Sequence, residues 1–273
     1  MEPSRKELLR EIGTVCYPKL PCVSESKKER MLSGGKRWPV TVNFIDLLRD
    51  MGTIFSKYWY VFLAKGVGYT LLLSLIVVTG GAILGSLFAI GKMSRFKILR
   101  GIITAIVEVV RGTPSLLQLY VGYFIVPMFI TKLKNVDPQP MAFVCVAIAL
   151  IINSGAYVSE IIRSGIESVD KGQTEASRSL GLSGATTMLH IVLPQAVKNI
   201  LPALGNEFIT IIKETSLAST FFVGELMTIY KDVVGVTHNS LPTLMIVGVI
   251  YFVLTFILSK GLKLLEKRMK SHA

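Results

Sequence analysis

Long stretches without a charge alternate along this chain with short clusters of Lys and Arg. Residues 66–91, 112–131, 138–159 and 233–259 contain no Asp, Glu, Lys or Arg, and run for 26, 20, 22 and 27 residues. Crossing about 30 Å of hydrocarbon takes roughly 20 helical residues, so each stretch is long enough to span a bilayer. A fifth candidate, residues 199–225, is apolar apart from Glu207, Lys213, Glu214 and the terminal Glu225, a pattern expected of a helix with one face on an interior channel. The second span is expected to begin before its charge-free run, because residues 101–107 are also apolar, and Pro114 just after Gly112 predicts a kink or break. The pattern predicts an all-α integral membrane protein with about five transmembrane helices.

Composition agrees: 51% of the 273 residues are hydrophobic, 18% are charged, and the mean hydropathy is +0.55. An ordinary soluble enzyme and a disordered chain are both excluded on that ground. The formal net charge of +12 belongs beside lipid headgroups rather than on nucleic acid in so apolar a chain. With five spans, twelve basic residues fall on one side (Lys92 to Arg100, Lys171 to Lys198 and Lys260 to Lys270) and six on the other. The positive-inside rule then puts the first set in the cytoplasm, with the C-terminus inside and the N-terminus outside.

Residues 1–57 read as an N-terminal extension, residues 58–268 as the membrane domain with a polar loop at 170–198, and residues 269–273 as a tail. Within the first 65 residues, 12 Lys and Arg stand against 7 Asp and Glu, which strains an outside location. Ser4 with Glu7 predicts a short capped helix ending near Gly13, and Met31 and Met51 are alternative starts. The first apolar run is too long for a signal peptide and is expected to remain in the mature chain. Phe55, Tyr58, Trp59, Tyr60 and Phe62 read as an interfacial aromatic anchor. Cys16, Cys22 and Cys145 form no CxxC pair, and His190, His238 and His272 are scattered without HExxH, so no metal site is expected.

The loop at 170–198 is the long polar insertion between spans. Residues 173–180 predict a helix stopped by Gly181, and Ser183 can cap a second helix running to Leu193 before Pro194. Ala176 and Leu180 share a face and could dock into a groove on a soluble partner; periodicity alone equally allows a hairpin resting on headgroups. The run Glu175-Ala176-Ser177, three residues, Gly181, nine residues, then Ile191-Val192-Leu193-Pro194 resembles the EAA motif of ABC importer permeases. Ser177 departs from the usual second alanine by a small-for-small change. Five further blocks look like the polar amino acid branch of that family: Arg111-Gly112-Thr113-Pro114 with Gln118; Gly155-Ala156-Tyr157 with Ser159, Glu160 and Arg163; Lys171-Gly172-Gln173; Gly205-Asn206-Glu207; and Lys213 with Thr215-Ser216-Leu217.

This resemblance covers residues 66–268. It implies a type I ABC importer permease subunit in a prokaryotic cell membrane, paired with a second permease copy or paralogue. Its loop would contact ABC ATPase subunits through Lys171, Gly172, Glu175, Ala176, Ser177, Gly181, Ile191, Leu193 and Pro194, and an extracytoplasmic binding protein would deliver a polar amino acid. The chain has no G-x-x-x-x-G-K-[ST] run, so ATP and Mg would be handled by the partner, with no cofactor held by this chain and no nucleic acid bound. Coupling would be by alternating access.

Intramembrane charges are the candidates for the substrate path. Glu108 with Arg111, and Glu160 with Arg163, are spaced to lie on one helical face, where each pair can neutralise itself or offer both signs to a zwitterion. The resemblance places the Arg111 block, including Thr113 and Gln118, and the Glu160 region along the path. Glu214 is expected to see the cavity, while Lys213 pairs across helices; a structural role for both is the other reading. Tyr157 lines the path or packs in the core, with core favoured. Gly80, Gly81 and Gly85 predict close helix packing. The rival functions are an ABC permease for another small polar solute and a gradient-driven amino acid transporter, which would not need the 175–194 pattern. An intramembrane enzyme is disfavoured because no nucleophile and base pair stands out.

Overall fold

The computed structural model describes residues 43–129 and 137–271, with side chains described to residue 268; the predicted helix at Ser4 to Gly13 lies outside the described residues, as does His272. Every regular element among the described residues is helical. Helix α1 (Phe44–Tyr60) passes through a wide π-type turn at Val61–Val67 into α2 (Gly68–Lys92). Then follow α3 (Lys97–Gly112), α4 (Ser115–Phe129), α5 (Pro138–Glu167), α6 (Lys171–Ser179), α7 (Gly184–Thr187), α8 (Leu193–Glu214), α9 (Leu226–Thr237) and α10 (Ser240–Ser271).

Three helical stretches are long and apolar enough to cross a membrane: Phe44–Lys92, Pro138–Glu167 and Ser240–Arg268. Such segments satisfy every interior backbone group within themselves, which hydrocarbon requires. The expected second span is broken rather than continuous: α3 and α4 meet at 112°. Pro114 disfavours helical backbone at the residue before it, and Thr113 is extended at φ −112° and ψ 146°. Counting the bent pair as one span makes four. The fifth candidate, 199–225, is also not one helix. Helix α8 ends at Glu214, a 3-10 turn covers Thr215–Phe221, and Phe222 turns the chain at φ 53° before Glu225 caps α9. The last span starts at Ser240 instead of 233, because α9 ends on His238 at φ 57°. Freedom from charge reports polarity and is blind to these backbone turns.

One core joins α1, α9 and α10 around Ile54, Leu226 and Ile246, and there Phe62, expected in an interfacial anchor, is fully buried. A second is the contact of α2 with α5. A Cβ at Gly81 would stand 2.6 Å from Ser154 Oγ, and one at Gly85 would stand 2.6 Å from Val158 Cβ and 2.8 Å from the Gly155 carbonyl. The two backbones therefore approach as closely as predicted from these glycines. Leu73, Val77, Leu119, Val146, Leu150 and Ile211 pack around that seam with no more than 1% exposure.

Contacts between distant residues define the two ends of the bundle. Lys92 pairs with Glu160, Gly165 packs on Ile200, and Gly205 packs on Leu262. The ends of α2, α5 and α10 and the start of α8 thus share one end, with the basic sets 92–100, 171–198 and 260–268. At the opposite end, Thr70 Oγ1 accepts from the Leu226 amide and Gly66 packs on Leu226 and Ile229. There Glu225 is fully buried, accepting from the Met227 and Thr228 amides at 2.7 Å each and from Tyr251 Oη at 3.0 Å.

Candidate functional site

The polar loop folds by local rules. Asp170 accepts from the Gly172 amide at 2.6 Å and starts α6. The helix closes in a Schellman arrangement: the Leu182 amide donates to the Ser177 carbonyl at 3.2 Å, the Gly181 amide to the Arg178 carbonyl at 3.1 Å, and Gly181 takes φ +85°. Arg178 ties the turn by donating from Nη1 to the Leu182 carbonyl at 2.8 Å. Ser183 then accepts from the Thr186 amide at 3.1 Å and starts the next helix. The Gly181 stop and the Ser183 cap agree with expectation, whereas Asp170 starts α6 at Lys171, two residues before the expected Gln173. The second helix does not stop before Pro194. A π-type turn at Met188–Val192, in which the Leu193 amide reaches the Met188 carbonyl, widens the helix ahead of the proline, and the chain runs on into α8.

Of the nine loop residues expected to meet a partner, Lys171, Gly172, Glu175, Ala176, Gly181 and Pro194 are exposed, and Ile191 and Leu193 are half-buried. Ser177 is the buried residue of α6 and bonds to the Gln173 carbonyl, so it faces the bundle rather than a partner. Leu180 is 83% exposed on an otherwise polar element and continues the face of Ala176. Leu189 and His190 are exposed on the next helix, and His190 bonds only to the Thr186 carbonyl.

A cluster of five charged side chains sits at the same end of the bundle. Glu160 on α5 holds Lys92 at the end of α2, and also accepts from Arg163 Nε at 3.0 Å and Nη2 at 2.9 Å. Arg163 continues to Glu167 at 2.7 Å. Arg111 at the end of α3 stands 3.9 Å from Glu160 and lies 5.4 Å over the Tyr157 ring. The side chains of Lys92 and Glu160 keep 10% and 18% of their exposure, against 40% for Arg111. The Glu160–Arg163 pair was expected from spacing. The Glu108–Arg111 pair is not formed: no ion pair within 4.0 Å joins them, because Arg111 turns to α5 while Glu108 stays exposed. Tyr157 is an exposed platform for Arg111 rather than a core residue. In the sequence Lys92 is only a loop charge, and no local pattern links it to a residue 68 positions away.

Thr113 and Gln118 hold the break. Gln118 Nε2 donates to the Val110 carbonyl at 2.6 Å, the Thr113 carbonyl at 3.1 Å and Thr113 Oγ1 at 2.9 Å, while its oxygen accepts from Asn153 Nδ2 at 2.9 Å. These bonds satisfy carbonyls freed by the break and tie it to α5. Both residues line a cleft of about 350 Å³ with Leu117, Val121 and Ile152, nearly all of it apolar. On α8, Glu207 is buried and accepts from Ser154 Oγ at 3.1 Å. Glu214 is half-buried, with Oε2 free of any hydrogen-bond partner among the described residues. Lys213 is exposed and forms no ion pair within 4.0 Å there, so the expected cross-helix pairing is absent. No hydrogen bond or ion pair joins Glu214 to the Glu160 cluster. Among the described residues no group of three or more His, Cys, Asp or Glu could hold a metal ion.

A helical bundle with a broken span, a charged cluster at one end and a capped helix pair exposed beside it has the architecture of a type I importer permease. The chain belongs to the family of binding-protein-dependent transport system inner membrane components, which matches residues 81–271. It is 38% identical over 211 residues to the arginine transport system permease protein ArtQ of Bacillus subtilis, covering 77% of this chain and 94% of that one. The glutamine transport system permease protein GlnP of Escherichia coli is 36% identical over 208 residues, 76% of this chain and 93% of that one. Among solved structures, one of an amino acid ABC transporter with histidines superposes with a TM-score of 0.73 at 40% identity, covering 84% of this chain and all of the other. The MetNI methionine ABC transporter shares the fold at a TM-score of 0.62 and 18% identity.

Proposed function

We propose that this chain is the permease subunit of an ATP-driven importer for a polar amino acid, coupling ATP hydrolysis by a partner ATPase to alternating access. The observation that carries the reading is the capped α6 element, held rigid by Asp170, Gly181 and Ser183 while it presents Glu175, Ala176 and Leu180 outward. A rigid exposed helix rooted on α5 and α8 is a lever: force on it reaches the helices that carry Glu160 and Glu207. Relatives whose names specify arginine, glutamine and L-cystine transport support an amino acid as cargo.

In this reading α6 docks on an ABC ATPase subunit that binds ATP and Mg, a second permease chain completes the channel, and an extracytoplasmic binding protein delivers the substrate. Residues 58–268 form the permease and 269–273 a tail, and the first 57 residues form an extension whose last part, in α1, packs on α10 with Ile54 buried. The protein lies in a prokaryotic cell membrane with its C-terminus inside. Glu160 and Arg111 offer opposite charges to a zwitterion beside Tyr157. Thr113 and Gln118 shape the break that positions Arg111. Glu108, one turn before Arg111, lies beside the Glu160 and Arg111 pair, and Glu214, at the end of α8, faces the path from the far end. The test is purification with native partners in mild detergent, with and without Gly181→Val. The expected result is an ATPase that copurifies with the unmodified chain and is lost from the variant. Uptake into proteoliposomes without any ATPase or ATP would replace this reading with gradient-driven transport.

A further inference from the structure

Helix α3 does not run across the bundle. Its middle residue Ile103 packs on Gly91 in the last turn of α2, and its last turn brings Arg111 to Glu160, which also holds Lys92. Helix α4 packs along α5, with Gly122 on Ala149, and α3 meets α4 at 112°, so α3 is steeply inclined to the bundle and starts beside the end of α2. Seen down its axis at 100° per residue, the helix has three arcs. Val107 is buried against the protein with Ile103 beside it. Ile98, Ile102, Ile106 and Val109 form an apolar arc on one side of that contact, all exposed and Ile98 by 81%. Lys97, Arg100, Glu108 and Arg111 form a polar arc on the other. One flank on protein, one apolar and one charged is the pattern of a helix lying in a membrane interface.

We infer that α3 is an in-plane anchor whose apolar arc enters the leaflet on the α6 side and whose start, with Arg95, Lys97 and Arg100, binds the headgroups of anionic phospholipids. Charge complementarity selects this occupant: residues 92–111 carry five basic residues against Glu108 alone, and Arg95, Lys97 and Arg100 are exposed and form no ion pair within 4.0 Å among the described residues. Basic residues near an anionic leaflet are attracted to its headgroups, and salt screens that attraction. The anchor would hold Arg111, on the same helix, at a fixed depth beside Glu160. The inference needs only that this end of the bundle meets a leaflet, and stands apart from the identity of the transported solute.

The test places a bimane label at Ile98→Cys in the full chain with Cys16, Cys22 and Cys145 replaced by Ala, reconstituted with its partners in liposomes. Brominated phosphatidylglycerol should quench the label at least about twofold more than brominated phosphatidylcholine at the same mole fraction, because each basic residue near the surface favours the anionic headgroup. That ratio should fall to about one in R95Q/K97Q/R100Q, and also at high salt without any substitution, which covers the case in which the triple variant misfolds. A label at Glu108→Cys should instead be quenched by aqueous iodide. Absence of lipid quenching at position 98 would mean that a protein covers the arc, and equal quenching by the two lipids would remove the anionic preference; either overturns the inference.

Discussion

Glu160 is where one side chain links the most elements, since it ties α2, α3 and its own helix through Lys92, Arg111 and Arg163. Glu160→Gln leaves the nearly buried Lys92 ammonium without its anion. Breaking a fully buried pair costs about 3–5 kcal/mol, and the partial exposure here brings the expected loss nearer to 2 kcal/mol. The double substitution K92M/E160Q removes both charges and should recover most of that stability in detergent, because the buried ammonium has gone with its partner. Uptake should stay low in both variants if the carboxylate meets the substrate. Restored uptake in the double variant would confine Glu160 to holding the helices together. This pairing was half legible: the i to i+3 spacing gave Arg163, whereas Lys92 and Arg111 arrive through tertiary packing that no local pattern encodes. The same limit explains Glu108, whose spacing to Arg111 was right and whose partner was taken by another helix.

Among the elements, α2 and α6 put opposite demands on glycine. Gly85 lies under Val158 and the Gly155 carbonyl, so Gly85→Ala should destabilise the protein by about 1–3 kcal/mol through overpacking. Gly68, with nothing within 4 Å of an added Cβ, provides the control: Gly68→Ala should be neutral or stabilising by up to about 1 kcal/mol. Thermal unfolding in detergent distinguishes the two, and equal shifts would argue against the α2–α5 seam. At Gly181 there is also open space, so the cost of Gly181→Ala comes only from φ +85°, about 1–2 kcal/mol for an L residue. That strain falls on the loop, and copurification of the ATPase should drop while the unfolding temperature of the bundle hardly moves. The stop of α6 and the cap of α7 could be read from Gly181 and Ser183 because they act over three or four residues, whereas the Asp170 cap lies ahead of the expected start at Gln173. The end of α8 at Glu214 and the end of α9 at His238 were missed, since a count of charged residues passes over the 3-10 turn after Glu214 and the left-handed turns at Phe222 and His238.

At the scale of the whole molecule, the two ends of the bundle carry different chemistry, and packing fixes which segments share an end. Gly165 against Ile200 and Gly205 against Leu262 put α6 and the C-terminal part of α10 together, whereas Asn239 starts α10 at the far end. The basic residues at 92–100, 171–198 and 260–268 therefore form one electropositive rim, the distribution that the positive-inside rule assigns to the cytoplasm. Single cysteines at Ser179, Asn239 and Lys267 test both statements with a membrane-impermeant maleimide. Ser179→Cys and Lys267→Cys should react only in inside-out vesicles, and Asn239→Cys only in intact spheroplasts. Reversal of all three would keep the packing and invert the protein in the membrane, which would place α6 out of reach of any cytoplasmic ATPase and end the proposed coupling. Reaction of Ser179→Cys and Lys267→Cys from opposite faces would contradict the helix packing itself, because α8 could not then lie against both α5 and α10.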